Sequence, residues 1–237
     1  MKHLLQIFFL VTTFSAAAQK QFVVDPDAEV REITGSFTSI RVSSGIHLYL
    51  SKGDVDAIAI SASKEKYKEG IKTIIENGEL HIFFESLKML MIGNQKLNVY
   101  VSYKNLEQIT ATGASNVLIA GVMELPSLNI KLSGASDFKG QLNIDDLNVK
   151  ISGASDMKLS GIAKNINVEC SGASDFKSYN LITETASIKA SGASDVNITV
   201  NKEITANASG ASNVFYKGAA VVKEKHSSGA SSFDRED

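Results

Sequence analysis

The chain has no tryptophan, one cysteine, two prolines and three arginines, and each scarcity excludes something. Cys170 alone cannot form an internal disulfide, so the fold rests on a packed core and backbone ladders. With Arg31, Arg41 and Arg235 as the only guanidinium groups and a net charge of −2, there is no electrostatic case for a nucleic-acid partner. Few prolines, many Ile, Val, Ser and Thr, and short alternating runs indicate an all-β protein. Histidine is also rare, at four residues.

One apolar run stands out, at the N-terminus. Lys2 and His3 precede a mostly apolar stretch from Leu4 to Phe14, and Ala16-Ala17-Ala18 offers a small-residue cleavage pattern. Residues 1–18 therefore read as a signal peptide, with Gln19 the expected new N-terminus. The run is too short to span a bilayer comfortably, and no later stretch is apolar enough to do so. No Cys follows it to carry a lipid. Cleavage would remove Lys2 and no acid, leaving 23 basic and 26 acidic residues. The expectation is an exported protein without an integral membrane segment, in the periplasm, at the outer-membrane surface or outside the cell.

What the chain has in abundance is a repeat. Ser/Thr-Gly-Ala-Ser, then Asp, Asn or Ser, then an apolar residue, recurs around Gly113, Gly134, Gly153, Gly172, Gly192, Gly210 and Gly229. The steps are 21, 19, 19, 20, 18 and 19 residues. A fixed period near this length means one unit stacked on copies of itself. Before each glycine, inward and outward residues alternate: Leu128, Ile130 and Leu132, then Leu147, Val149 and Ile151, and so on through Ile204, Ala206 and Ala208. Four residues after each glycine lies another apolar residue: Val117, Phe138, Met157, Phe176, Val196, Val214 and Phe233. These predict a stacked internal ladder. Gly121, Gly140, Gly161, Asn180, Asn201 and Gly218 supply a second punctuation, because Gly and Asn tolerate left-handed backbone. Each coil should then have two bends and two strands, with coils about 4.8 Å apart.

Two details stay open at this level. A tight bend at the glycine would turn Ala135 and its equivalents inward, whereas straight alternation would turn Ser136 inward; the bend, and hence Ala135, is the expectation. In the last copy Lys223, Lys225 and Ser227 replace the inward residues, either as a polar end cap or through a register slip.

The region 33–105 lacks the repeat unit but is β-rich. Ile46–Leu50 and Ala57–Ile60 read as strands, Lys64–Gly70 as a helical turn, and Thr73–Glu76, Asn77-Gly78 and Glu79–Phe83 as a hairpin. Lys88–Ile92 reads as a short buried element. The division is thus a leader (1–18), an N-terminal extension (19–32), a β-rich N-terminal part of the solenoid (33–105) and a repeat solenoid with a terminal cap (106–237).

The strand Ile40–Val42, Ser44-Gly45-Ile46-His47, the Asn-Gly hairpin and the glycine repeats together resemble the auto-transporter adhesin, head GIN domain, family of exported bacterial proteins, over roughly residues 35–230. The Gly-Ile-Asn of the family's name would fall on Gly45-Ile46-His47, so its Asn is replaced by His. The resemblance implies an all-β, two-sheeted β-helix or solenoid with Ser-Gly turns, pectin-lyase-like in broad architecture, an adhesin-like role and no catalytic residues.

The most suggestive array lies three residues after each glycine: Asn116, Asp137, Asp156, Asp175, Asp195, Asn213 and Ser232. Such short polar residues cap bends by accepting backbone N–H bonds. Stacked carboxylates could also bind calcium, or form a contact surface for a partner. Lys139, Lys158 and Lys177, with Lys131, Lys150 and Lys189 on the neighbouring strand, should largely neutralise them. Asp137, Asp156, Asp175 and Asp195 are the candidate interaction ladder. An envelope protein or a glycan is a possible partner; no cofactor or structural metal is expected.

The alternative class is a polysaccharide-active enzyme of pectin-lyase-like architecture. It would need clustered carboxylates or a base beside a cationic clamp. His47, His81 and His226 are widely separated, Asp145-Asp146 and Glu203 read as surface charges, and three arginines make a poor clamp. The expectation is a non-catalytic surface or interaction protein.

Overall fold

The computed structural model describes residues 25–85 and 96–237. The leader, residues 19–24 and the Lys88–Ile92 segment lie outside the described residues.

The fold is a β-solenoid of about seven turns, and the described residues are 67% strand and 2% helix. Its repeat region consists of β9 (Asn116–Leu132), β10 (Asp137–Ile151), β11 (Asp156–Cys170), β12 (Asp175–Ala190) and β13 (Asp195–Ala208), then β14 (Asn213–Lys217), β15 (Val221–Ser227) and β16 (Ser232–Arg235). Each pairs in parallel with the equivalent residues one coil away, for example Phe138 with Val117 on one side and Met157 on the other. The two halves of each long strand build the two sheets. β3 (His47–Lys52) extends the first sheet by pairing with Asn116 to Ile119, and β8 (Gln108–Ala111) extends the second by pairing with Asn129 to Leu132. Behind β3 lie β7 (Leu97–Tyr103), β4 (Ala57–Ala62) and β1 (Glu29–Arg31). Behind β8 lie β2 (Ser39–Val42), β6 (Glu79–Phe84) and β5 (Ile71–Glu76). The expected helical turn is α1 (Glu65–Lys68). The expected hairpin is β5–β6, with Asn77 and Gly78 both at positive φ, as a tight two-residue turn requires.

The apolar residues four positions after each glycine form the predicted column, from Val117 to Phe233, every member buried. The alternating rows on the second sheet face them. Alternation resets where two successive residues face out, at Asp145–Asp146 in one coil and Lys164–Asn165 in the next.

The second bend differs from expectation. Only Gly121, Gly161 and Gly218 have positive φ there; Gly140, Asn180 and Asn201 do not. Pairing runs on through this corner, and the register shifts fall close to it. β11 meets β12 at an offset of 19 residues before the corner (Met157 with Phe176) and 20 after it (Gly161 with Leu181). Bulges at the second bend thus absorb the unequal repeat lengths and keep both inner columns aligned.

The first bend corrects the Ala-inward expectation. Ser115, Ser136, Ser155, Ser174, Ser194 and Ser212 are all fully buried, and Ala135 and its equivalents are exposed. The bend is real, with Gly153 at φ +79. The serine turns in because its hydroxyl has work there: Ser136 Oγ donates to the Ser133 carbonyl at 3.0 Å, and Ser174, Ser194 and Ser212 repeat that bond three residues back. A carbonyl that the bend strips from the ladder is satisfied inside the coil. An alanine could fill the space but not the bond.

At the C-terminal end, cap and register slip coexist. β15 is exposed along its whole length, and a bulge at Lys223 shifts the register so that Lys225 pairs with Ala206. The Lys225 ammonium donates to the Phe233 carbonyl at 2.9 Å and sits 5.0 Å from the Phe233 ring centre. Its stem covers the last apolar layer while the charge stays wet.

Candidate functional site

Parallel, in-register stacking turns each outward position of the repeat into a column. Asp137 pairs with Asn116 and Asp156, Asp156 with Asp175, Asp175 with Asp195, and Asp195 with Asn213. The four candidate aspartates therefore form one row, continued through Asn116 to His47 at one end and through Asn213 to Ser232 at the other. His47 thus stands in this row, next to Asn98 as well as Asn116. Two residues along the strand a second row runs parallel to the first: Tyr100, Tyr49, Leu118, Lys139 and Lys158, then Lys177, Asn197 and Phe215 in the following coils. The residues between the rows point inward, so the rows flank a shallow groove of about 510 Å³ floored by Leu48, Val117, Phe138 and Met157.

The electrostatics differ along the row. Lys177 contacts Asp175 directly. Asp195 accepts from Asn213 Nδ2 at 2.9 Å, and Ser232 Oγ donates to Asn213 Oδ1 at 2.8 Å. Among the described residues neither Asp137, Asp156, Lys139 nor Lys158 has an ion-pair partner. Partial burial, and then the Asp156 charge beside it, raise the Asp137 carboxyl above its usual range. The Asp175 carboxylate raises the Lys177 ammonium in turn.

Two expectations are corrected here. Lys150 and Lys189 do not neutralise the aspartate row; both reach Glu169 on the second sheet, at 3.1 and 3.8 Å. Nor do the aspartates cap the bends, since none accepts a backbone N–H of its turn; the buried serines close the bends instead.

The N-terminal end of the face holds groups that the sequence did not single out. Tyr49 and Tyr100 stack with ring centres 5.0 Å apart at 17°. The Tyr100 hydroxyl donates to Asp25 at 3.3 Å, Ser61 Oγ also donates to Asp25, and Asn98 Nδ2 donates to Ser61 Oγ at 3.2 Å. Those bonds, the Ser61 bond above all, hold the Asp25 carboxyl below its usual range. No local signal marks the set, because its members are 36 to 75 residues from Asp25; only the pairing of β7 between β3 and β4 assembles them.

The residues weighed for catalysis are dispersed. His47 lies on β3, His81 on β6 and His226 on the exposed β15. His81 lies 2.9 Å from Glu79, which also holds Arg41 at 3.1 Å. Asp145 contacts Lys164, Asp146 accepts from Asn165 Nδ2 at 2.9 Å, and Glu203 pairs with Lys223 at 3.1 Å. Among the described residues no three His, Cys, Asp or Glu side chains converge as metal ligands would. Burial pushes the Cys170 thiol up to about 12, so it is an inert core residue.

A family model described as "putative auto-transporter adhesin, head GIN domain" matches residues 36–220. Several solved structures share the fold. One is a crystal structure of a putative adhesin from Bacteroides fragilis, with TM-score 0.78 and 18% identity, over 90% of this chain and 98% of that one. Another, a putative adhesin from Parabacteroides distasonis, has TM-score 0.71 and 17% identity over 88% and 96% of the two chains. A protein from the same species titled a putative lipid binding protein has TM-score 0.67 and 16% identity over 90% and 98%. At such identities the likeness is one of fold, and proteins sharing it carry different functional titles. No curated protein matches the sequence.

Proposed function

The chain belongs to the family described as putative auto-transporter adhesins with a head GIN domain, and from that premise we propose an exported, non-catalytic protein that works by adhesion-like contact through the lateral face carrying Asp137, Asp156, Asp175 and Asp195. The observation that carries the reading is the pair of aligned rows on the first sheet. In three successive coils they repeat one small acidic group and one basic group, at the strand spacing of about 4.8 Å. A repeating surface of that kind suits many weak contacts in line rather than one enclosed pocket. Family membership favours a role at the cell surface. No described helix is long and apolar enough to cross a membrane. No arrangement of the described residues favours the polysaccharide-cleaving alternative.

The test is a strain lacking the protein, complemented with wild type or with Asp137, Asp156, Asp175 and Asp195 all changed to Asn. Wild type should restore surface attachment or envelope integrity, and the folded fourfold variant should not. Full restoration by that variant would move the contact face elsewhere. Cell fractionation of the wild-type strain checks export, since a cytoplasmic pool alone would refute it.

A further inference from the structure

The two rows differ in sign and follow the same coils; the aspartates stay in register throughout, while the ladder breaks at a bulge between Lys158 and Lys177. Asp137 and Lys139 occupy one coil, Asp156 and Lys158 the next, Asp175 and Lys177 the third. In each coil the two residues point out from the same strand, two positions apart, so the rows run side by side along the solenoid. Like charges are stacked within each row, which is unfavourable. In the first two of these coils neither charge has a partner within the described chain. At the N-terminal edge of the charged block the same face exposes an apolar side chain, Leu118, 40% accessible.

A face with this layout is complementary to itself in one orientation only. Rotating a second copy by a half turn about an axis lying in the face, parallel to the rows and midway between them, exchanges the rows. Asp137, Asp156 and Asp175 of one copy then lie over the lysine of the same coil in the other, Asp195 lies over Asn197, and the coils face their own equivalents. A half turn about the perpendicular in-plane axis sets aspartate on aspartate and is repulsive. Resting on the contact-face reading above, we infer that the partner of this face is a second copy of the chain, paired side by side and parallel through reciprocal contacts of Asp137, Asp156 and Asp175 with Lys139, Lys158 and Lys177. The contact is isologous, as a two-fold pair requires. It also relieves the stacked like charges in both copies at once.

The magnitude follows from size. Three charged coils are two intervals of about 4.8 Å, so each charged row is about 10 Å long. A patch of that length and two residues wide is far smaller than the roughly 800 Å² per partner of a standard interface, and exposed ion pairs are individually weak. The Lys177–Asp175 contact within one copy must also be exchanged for its counterpart across the interface. Pairing in dilute solution is therefore weak and salt-sensitive, and gains strength only where many copies are displayed together on a surface.

Charge reversal tests it. One variant carries Lys139, Lys158 and Lys177→Glu, making both rows acidic; the other carries Asp137, Asp156 and Asp175→Lys, making both basic. Circular dichroism and thermal melts select folded protein, and the neutral pair (the three lysines→Gln, or the three aspartates→Asn) serves if either reversal fails to fold. Sedimentation velocity at about 10 mM salt, where screening reaches about 30 Å, should show wild type self-associating and each variant alone monomeric. The acidic and basic variants mixed should form a 1:1 pair at least tenfold tighter than wild type. Raising salt to about 150 mM should weaken both by at least tenfold. A control mixes the basic variant with one carrying Lys131, Lys150 and Lys189→Glu, which has the same net charge change on the other sheet. Equal binding by that control reduces the effect to net charge and overturns the proposal. So does a mixture of the two reversed variants that stays monomeric. If wild type is monomeric throughout while the fourfold Asp→Asn variant still fails to restore attachment, self-pairing is refuted and the face acts on a different partner. If that variant restores attachment fully, the contact-face reading has failed on its own account.

Discussion

At the scale of the residue, the bend decides most. Gly153 combines positive φ with a position directly over the previous coil's bend: a Cβ there would lie 2.4 Å from the Gly134 carbonyl oxygen. The Ala154 amide already donates to that oxygen at 2.8 Å. Gly153→Val should therefore lower stability by several kcal/mol, since both backbone strain and a backbone clash must be relieved. Denaturant melts check this, and a midpoint like wild type would mean that the coils can separate at no cost. The inward serine, two residues after each such glycine, is the residue whose place the sequence hides. Side-chain size alone favours Ala inside a tight bend, and only the count of backbone acceptors shows why a hydroxyl belongs there. Ser136→Ala should accordingly cost about 1–2 kcal/mol by orphaning the half-buried Ser133 carbonyl, whereas Ala135→Ser, at an exposed site, should change stability by less than about 0.5 kcal/mol. Equal effects of the two substitutions would contradict the inward serine.

At the scale of the element, both inner rows and the outward aspartate row were legible, because a period of two within the strand and a near-constant period between strands carry all the information that parallel stacking needs. The apolar column from Val117 to Phe233 has no exception. Less was legible where coils differ in length: the second bend keeps its place by bulging, not by a fixed turn residue, so Gly140, Asn180 and Asn201 mimicked a turn signal without needing left-handed backbone. Partners of the lysines were also misassigned, because Lys150 and Glu169 meet across coils on the opposite sheet, 19 residues apart. The aspartate row has a pH signature. The Asp137 carboxyl titrates above its ordinary value in the folded chain, so the folded state binds more protons there than the unfolded state. Stability is then lost as pH rises from the unfolded carboxyl's value through the folded one. Asp137→Asn removes that loss. It should raise the melting temperature slightly at neutral pH, with the gain vanishing below about pH 3.9. A lower melting temperature at neutral pH would show that the carboxylate is stabilised by a partner in the folded chain.

At the scale of the molecule, the two ends are not alike. The N-terminal end departs from the coil pattern: β4 and β1 run antiparallel on one sheet, and β5 closes the other as a hairpin with β6. That excursion explains why the repeat is invisible there, although Gly45, at φ +72 before the buried Ile46, already makes the same kind of bend one coil below Gly113. At the C-terminal end lie parallel strands, β15 and β16, whose outer edges pair with no other strand among the described residues. Such edges recruit further strands unless they are blunted, and here Lys223, Glu224, Lys225, Asp234 and Arg235 supply the charge that blunts them. Because each coil contacts mainly its neighbours, the cap protects everything before it. Deleting residues 219–237 removes both strands, strips the Phe233 ring from Tyr216, 5.2 Å away, and leaves the longer, less charged edge of β13 and β14 bare. The truncated chain should retain β-sheet circular dichroism yet form large aggregates, whereas Lys225→Ala, which removes one part of the cap, should stay dispersed with a modestly lower melting temperature. Light scattering separates the outcomes. A truncated chain that stays dispersed at the same concentration would show that the solenoid resists edge pairing without its last coil.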